Sequence, residues 1–277
     1  MQNAGIAALG LNWRYLAFDT LPERLGHALA GAKAMSFIGL NLTVPHKLLA
    51  MELVDELDES AKTWGAVNTV RFEAADTSGA WRPLAQFEST VPNAIRSVGF
   101  NTDAPAIARS LREDLGADLR DTSALVLGAG GAGRVTALKL AAEGVRTLFL
   151  VNRTAAKADE IAATIRERYK EVEVKNGYPS DQVDLVVNAT SLGLKADDPL
   201  PFDESMFSLR QTRAAYDLIY RPAETRFLSA ARLAGCRVAN GLGMLLYQGA
   251  QALELWSGRS APLNVMRRAL QRNVYEH

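Results

Sequence analysis

Short runs of consecutive apolar residues alternate with stretches of helical periodicity along most of the second half of the chain. The runs are too short and too uniform for surface helices and are typical of strands buried on both faces of a parallel sheet. They cover residues 123–127, 146–151, a stretch around Val172, 183–191, 214–220 and 235–240. With predicted helices over 104–115, 155–169, 225–233 and 263–273, and a further helix that ends at Trp256, this pattern predicts a doubly wound α/β fold.

The N-terminal part of the chain shows the same alternation. Residues 3–9 and 21–30 have the apolar spacing of helices, whereas residues 13–18 and 35–40 have that of strands. We therefore expect an N-terminal α/β domain with a mostly parallel sheet. The expected domains are 1–103 and 104–259, with a C-terminal helix, 260–277, packing back on the first domain. The pattern dissolves over 71–98, which we interpret as an insertion of unknown role.

A glycine-rich turn follows the strand predicted over 123–127. Its first, third and sixth residues fit the spacing G-x-G-x-x-G, which allows a tight turn, close approach of backbone to a pyrophosphate, and packing of the next helix on the strand. An Ala/Gly-rich turn that merely allows close packing is the alternative. The pattern predicts a Rossmann-type nucleotide site formed by Gly128, Ala129, Gly130, Gly131, Ala132 and Gly133.

The next predicted strand ends without the acidic residue that usually binds the ribose 2′-hydroxyl of NAD. Asn152, Arg153 and Thr154 stand there instead, and Lys157 follows one helical turn later. A guanidinium can bind a 2′-phosphate through two hydrogen bonds, and Thr154 and Lys157 add a hydroxyl and a second cation. These residues favour NADP over NAD, although a solvated arginine at a strand end would look the same.

Isolated polar residues interrupt the apolar pattern of the N-terminal domain. Asn41, Thr43 and Lys47 follow the strand predicted over 35–40, at the end of a parallel strand where ligands of α/β sheets bind. Asn68 interrupts another apolar run, and a buried amide needs partners. Asp103 stands at the start of a predicted helix, where it is either a functional carboxylate or an ordinary cap.

Composition restricts the classes of protein that need to be considered. The chain has 277 residues, 48% of them hydrophobic and 22% charged, and its formal net charge is zero. No basic run suggests a nucleic-acid partner, the N-terminus lacks the basic region of a signal peptide, and no apolar run is long enough for a membrane span, so we expect a cytoplasmic protein. The only cysteine, Cys236, and the histidines His27, His46 and His277 lack a shared ligand spacing, so we expect no metal site.

Eight short motifs occur in one order along the chain, from about Asn3 to the C-terminus, and together they resemble the shikimate dehydrogenase family. They are Asn-x-Thr-x-Pro-x-Lys at 41–47, Gly-Ala-Val-Asn-Thr at 65–69, Asn-Thr-Asp at 101–103, the glycine turn, Asn-Arg-Thr at 152–154, Asn-Ala-Thr-Ser-x-Gly at 188–193, Tyr-Asp-x-x-Tyr-x-Pro at 216–222 and Gly-x-Gly-Met-Leu-x-x-Gln at 241–248.

The resemblance implies a two-domain enzyme, monomeric or homodimeric, that interconverts 3-dehydroshikimate and shikimate with NADP. By similarity, Lys47 and Asp103 form the acid/base pair, and either of them can be the proton acceptor. The residues expected to bind substrate are Asn41, Thr43, Asn68 and Gln248 at hydroxyls and Tyr220 near the carboxylate. Beyond the glycine turn and Asn152, Arg153, Thr154 and Lys157, the expected cofactor contacts are Thr190, Ser191, Leu218, Gly241 and Met244.

The N-terminus departs from the family pattern. Members of the family begin with a strand and a Ser-x-Ser-Pro stretch whose hydroxyls bind the substrate carboxylate, whereas Met1-Gln2-Asn3 matches only the start of the following helix. Losing two hydrogen bonds to a carboxylate, at about 1.5–3 kcal/mol each, predicts poor turnover of shikimate. Quinate or a related polyhydroxy acid as substrate, and a weakly active or non-catalytic NADP-binding relative, are the alternatives.

Overall fold

The structure is a computed structural model that describes residues 1–87, 92 and 94–276. Its contacts divide the chain into two compact units. The first comprises Met1–Asp103 with Gln248–Leu270, and the second comprises Ala104–Tyr247 with the C-terminal residues from Gln271 onwards. Residues 248–259 were expected in the second domain, but they belong to the first unit, because the boundary between the units falls within the helix Leu242–Ser257.

The first unit combines short helices with a five-stranded sheet. Its helices are α1 (Gln2–Ala8), α2 (Leu25–Ala34), α3 (His46–Leu53) and α4 (Glu59–Trp64). Its strands are β1 (Gly39–Asn41), β2 (Glu56–Leu57), β3 (Thr69–Ala75), β4 (Trp81–Pro83) and β5 (Ile95–Phe100). Short 3₁₀ helices cover Pro22–Arg24 and Leu84–Gln86. The core of this unit contains Val67, Val70 and Phe72, all 0% exposed.

The sheet of the first unit is mostly antiparallel, so the expectation of a mostly parallel sheet was wrong here. Its strand order is β1-β3-β5-β2 with β4 on β3, and only β2 and β5 run parallel. The prediction assumed single helical crossovers, which produce parallel neighbours. Instead, β3 and β4 form a hairpin whose turn is held by Asp76, which accepts hydrogen bonds from the backbone N–H groups of Ser78 and Ala80.

The expected insertion over 71–98 therefore consists partly of this hairpin. Most of β3, all of β4 and the start of β5 lie within it. Residues 88–91 and 93 of the expected insertion, and His277 at the end of the expected C-terminal helix, lie outside the described residues.

The strand predicted over 13–18 is absent, and these residues have no regular secondary structure. A strand needs a neighbour for its backbone N–H and C=O groups. Both backbone groups of Tyr15 are instead bound by the side chain of Asn3, which accepts from the Tyr15 N–H at 2.7 Å and donates to its carbonyl at 2.9 Å. This side chain takes the place of a strand partner.

The second unit contains a six-stranded sheet whose pairings are all parallel, so the prediction of a doubly wound Rossmann-type sheet is confirmed. In the order β11-β10-β9-β6-β7-β8, its strands are β6 (Ser123–Leu127), β7 (Thr147–Val151), β8 (Glu173–Asn176), β9 (Val183–Asn188), β10 (Thr212–Asp217) and β11 (Arg237–Asn240). Its complete helices are α6 (Gly131–Ala142), α7 (Ala155–Arg168), α8 (Arg226–Leu233) and a 3₁₀ helix (Leu209–Gln211).

Three helices contain the points at which the chain changes unit. They are α5 (Asp103–Glu113), α9 (Leu242–Ser257) and α10 (Leu263–Tyr275). None of the helices in the described part of the chain is long and apolar enough to cross a membrane.

Candidate active site

The glycine turn of the second unit has the geometry that its sequence predicts. Gly128 has φ 103°, a conformation that favours glycine, and a Cβ atom added to Gly133 would lie 2.1 Å from the Gly128 carbonyl oxygen. Gly130 caps the N-terminus of α6. An added Cβ atom at Gly130 or Gly131 would meet no atom within 4 Å. The turn therefore packs α6 tightly against β6 and leaves open space beside the helix N-terminus, where anions bind.

Asn152 connects the glycine turn to the turn after β7. Its Oδ1 accepts a hydrogen bond from the Ala129 N–H at 2.9 Å, and its Nδ2 donates to the Thr154 carbonyl at 2.8 Å. The side chains of Arg153 and Lys157 are exposed, and neither side chain forms a hydrogen bond or ion pair with another described residue. Arg153 thus lies on the turn that Asn152 fixes beside the glycine turn, and Lys157 lies in the first turn of α7.

The remaining residues expected to bind the cofactor lie beyond the carboxyl ends of β9, β10 and β11 in the second unit. Thr190 and Ser191 follow β9, and Thr190 donates its hydroxyl proton to Asn188 Oδ1 at 2.7 Å. Leu218 follows β10. Gly241 precedes α9, where an added Cβ atom would lie 2.1 Å from the Leu218 carbonyl oxygen. Met244 is partly buried within α9. The structure therefore brings this set to one edge of the parallel sheet.

Lys47 and Asp103 form an ion pair in the first unit. Lys47, on α3, places Nζ 2.7 Å from Oδ2 of Asp103, the first residue of α5. Their side chains are 28% and 11% exposed, so the pair is accessible to a small molecule. The backbone near Lys47 is fixed as well, because its carbonyl accepts a hydrogen bond from the Val67 N–H at 2.9 Å. The pair can exchange a proton with a bound hydroxyl group without a metal ion.

Asn68 orients Asp103 from a buried position. Its Nδ2 donates to Asp103 Oδ1 and Thr102 Oγ1, each at 2.9 Å, and its Oδ1 accepts from the Thr102 N–H at 2.7 Å. The Gln248 Oε1 atom lies 3.5 Å from Nδ2. Asn68 is only 2% exposed. The structure thus gives this predicted hydroxyl ligand a second role, in which it holds the carboxylate of Asp103 against the lysine.

Asn41 is fixed by partners on both sides of its amide. Its Nδ2 donates to Thr69 Oγ1 at 3.0 Å, and its Oδ1 accepts from the Tyr15 hydroxyl at 3.0 Å. Burial raises the pKa of the Tyr15 hydroxyl above its usual value. The tyrosine ring also lies 6.2 Å from that of Trp256, measured between centroids.

Two predicted substrate ligands are not joined to this cluster. Thr43 is exposed in the turn before α3, and Tyr220 belongs to the second unit.

Sequence reasoning missed Tyr15, Thr69 and Thr102. Thr69 and Thr102 lie within quoted motifs, so their positions in these motifs could have indicated that they belong to the site. Tyr15 had none, because it lies in an irregular segment and its contact with Asn41 spans 26 residues of sequence.

Potential metal ligands are not clustered in the described residues: no group of three or more His, Cys, Asp or Glu side chains there could hold a metal ion. Cys236 is free and buried, and burial raises the pKa of its thiol, as expected for an unreactive structural cysteine.

Comparison with known proteins identifies the family. Residues 1–70 match the profile of the shikimate dehydrogenase substrate binding domain, residues 110–196 that of shikimate / quinate 5-dehydrogenase, and residues 241–271 that of the shikimate 5'-dehydrogenase C-terminal domain. A shikimate dehydrogenase (NADP(+)) from Methanopyrus kandleri is 40% identical over 284 residues, covering 100% of this chain and 90% of the relative. The chain belongs to the shikimate dehydrogenase family.

Solved structures of the family share the fold of this chain. A shikimate dehydrogenase solved in complex with NADP+ has a TM-score of 0.82 and 33% identity, with 98% of this chain and 89% of that chain covered. A ligand-free 5-ketofructose reductase of Gluconobacter sp. strain CHM43 has a TM-score of 0.78 and 32% identity, covering 98% and 92%. The fold is therefore shared by enzymes with different named substrates.

Proposed function

We infer that the chain is an NADP-dependent oxidoreductase that interconverts 3-dehydroshikimate and shikimate. The observation that carries this inference is the Lys47–Asp103 ion pair at 2.7 Å, in the unit that contains the match to the family's substrate binding domain. The family membership and the NADP dependence of the named relatives support the same conclusion.

The first unit supplies proton transfer. Reduction of a ketone requires a proton at the oxygen as it becomes a hydroxyl group, and oxidation requires its removal. The Lys47 ammonium can donate to this oxygen, and the Asp103 carboxylate beside it can take up or return the proton. Asn68 keeps Asp103 oriented towards Lys47, since it binds the other carboxylate oxygen. We propose that Asn41, Thr43, Asn68 and Gln248 bind substrate hydroxyls and that Tyr220 binds near the substrate carboxylate.

The second unit has the features that an NADP molecule requires. Open space lies beside the N-terminus of α6, and two unpaired cations, Arg153 and Lys157, lie where the 2′-phosphate of a bound nucleotide would be recognised. When bound, NADPH supplies the hydride to the substrate carbon. The glycine turn would hold the pyrophosphate, and Asn152 would keep this turn aligned with the two cations.

The substrate is tested by steady-state kinetics with NADP+ on shikimate, quinate and other cyclic polyhydroxy acids, and with NADPH on 3-dehydroshikimate and 5-ketofructose. We expect kcat/KM to be highest for the shikimate and 3-dehydroshikimate pair. A higher value for quinate would favour that alternative substrate, for which the shikimate / quinate profile over residues 110–196 gives support. No turnover of any of these compounds would contradict the proposal.

Replacing Tyr15 with phenylalanine tests the substrate end of the site. The change removes the hydroxyl that fixes Asn41 but keeps the ring beside Trp256. Since one uncharged hydrogen bond is worth about 0.5–1.5 kcal/mol, we expect KM for shikimate to rise by about 2- to 10-fold with kcat little changed. Kinetics at saturating NADP+ measure both constants. An unchanged KM would show that Asn41 does not depend on Tyr15.

A cytoplasmic location and a monomeric or homodimeric state are also proposed. An unpaired, buried Cys236 suits a reducing compartment. Sedimentation equilibrium on the purified chain distinguishes the two oligomeric states.

A further inference from the structure

Three polar residues end neighbouring strands of the second unit in one row. Asp217 at the end of β10 pairs in register with Asn188 at the end of β9 and with Asn240 at the end of β11. Ligands of open parallel sheets bind beyond these carboxyl ends. The outer residue, Asn240, binds the Ala223 carbonyl at 2.8 Å, so it holds part of the loop that follows β10.

Asp217 is a fully buried carboxylate that binds three donors. Its Oδ1 accepts from the Ile219 N–H and from Asn188 Nδ2, each at 3.0 Å, and its Oδ2 accepts from the Thr225 hydroxyl at 2.5 Å. The side chain is 0% exposed. No ion pair to Asp217 occurs in the part of the chain that the structure describes. Its bonds therefore connect the end of β9, the loop after β10 and the N-cap of α8.

Asn188 transmits this arrangement to the loop after β9. Besides Asp217, its Nδ2 binds the Leu192 carbonyl at 3.0 Å, and its Oδ1 accepts from both the N–H and the hydroxyl of Thr190, at 3.0 and 2.7 Å. The Thr190 hydroxyl in turn accepts from the Leu192 N–H at 3.0 Å. The conformation of this loop thus depends on the orientation of one buried amide, and Asp217 fixes that amide.

We propose that Asp217 is a positioning residue for cofactor binding: through Asn188, Ile219 and Thr225 it sets the conformation of the two loops that carry Thr190, Ser191 and Leu218. This inference rests on the proposed function and on the role that the family resemblance implies for these three residues as cofactor contacts, which we assign to the nicotinamide half of NADP. Asp217 itself touches neither cofactor nor substrate in this account, because it is completely buried beneath the loops.

The kind of substitution at Asp217 decides the expected effect. Alanine would leave the Ile219 N–H and the Thr225 hydroxyl without their acceptor and would release Asn188. Asparagine keeps an acceptor oxygen for Asn188 and Ile219, and its amide can donate to the Thr225 hydroxyl oxygen. Burial raises the pKa of Asp217, so the site disfavours the charge, and a neutral isostere is suited to it.

Calorimetric titration with two nucleotides tests the proposal without requiring turnover. We expect Asp217→Ala to weaken NADP+ binding by about 10- to 100-fold, the effect of losing about two hydrogen bonds between the displaced loops and the cofactor. Adenosine 2′,5′-bisphosphate reaches only the adenosine half, and its affinity should stay within about twofold if the rest of the unit is intact. Asp217→Asn should restore NADP+ affinity to within about threefold of the wild type.

Asp184→Ala provides the matched control. Asp184 lies near the other end of β9, where it accepts from the Ser123 N–H and hydroxyl at 2.9 Å, so its loss affects the sheet without touching the loops. Unchanged NADP+ affinity in Asp217→Ala, or equal loss of both nucleotides, would overturn the proposal. Failure of the wild-type chain to bind NADP+ would instead contradict the proposed function.

Discussion

Lys47→Ala is expected to lower kcat for shikimate oxidation by about 10²–10⁴-fold, the range typical of a general acid/base group. Lys47 is the only cation within ion-pair distance of Asp103 among the described residues, so no neighbouring side chain there can replace it. NADP+ affinity should stay at the wild-type value, because the glycine turn and its two cations belong to the other unit. Steady-state kinetics and calorimetric titration with NADP+ measure the two effects.

Lys62→Ala serves as the control for this experiment. Lys62 lies in the same unit and pairs with an exposed glutamate, Glu59, and its side chain is 54% exposed. Its removal should change neither kcat nor cofactor affinity, since exposed ion pairs contribute little. If Lys47→Ala keeps more than about a hundredth of the wild-type kcat, the proton is carried by another residue, and Asp103→Asn becomes the next variant to measure.

The second unit could be predicted from sequence because its signals are local. The strands β6, β7 and β9 are short, largely apolar runs, and the G-x-G-x-x-G turn joins strand to helix within six residues, Gly128 to Gly133. The row of polar residues at the carboxyl ends of its strands was only partly predictable. Asn188 and Asp217 stood in quoted motifs, but the hydrogen bond between them depends on the register of β9 with β10.

The first unit was harder because its organisation depends on distant partners. The antiparallel pairing of β3 with β4 rests on the turn at Asp76, whose sequence lacks apolar periodicity. Residues 13–18 have the alternation of apolar and polar residues that is typical of a strand. Their backbone nevertheless binds the side chain of Asn3 instead of a neighbouring strand. The acid/base pair was nevertheless predicted by resemblance, and the structure places Lys47 and Asp103 in contact although 56 residues separate them.

Preference for NADP over NAD should fall by about 10²-fold in the double variant Arg153→Ala/Lys157→Ala. Each residue is exposed and free of other partners in the described part of the chain, so each is available to a 2′-phosphate. A hydrogen bond to a charged group contributes about 1.5–3 kcal/mol, and solvent screening favours the lower end, which gives about 3 kcal/mol for the pair. Since about 1.4 kcal/mol of binding free energy corresponds to a tenfold change in affinity, this loss predicts the change of about 10²-fold.

The measurement is the ratio of kcat/KM for NADP+ to that for NAD+, at low and at high ionic strength. The value for NAD+ should remain within about threefold of the wild type, because NAD+ lacks the 2′-phosphate and its other contacts are unchanged. The loss for NADP+ should shrink at high salt, since exposed charges are screened there. Lys170→Ala, just after the other end of α7, removes a comparable exposed cation and should leave the ratio unchanged. If the double variant keeps the wild-type ratio, the 2′-phosphate is bound elsewhere, and Arg153 and Lys157 have no part in choosing the cofactor.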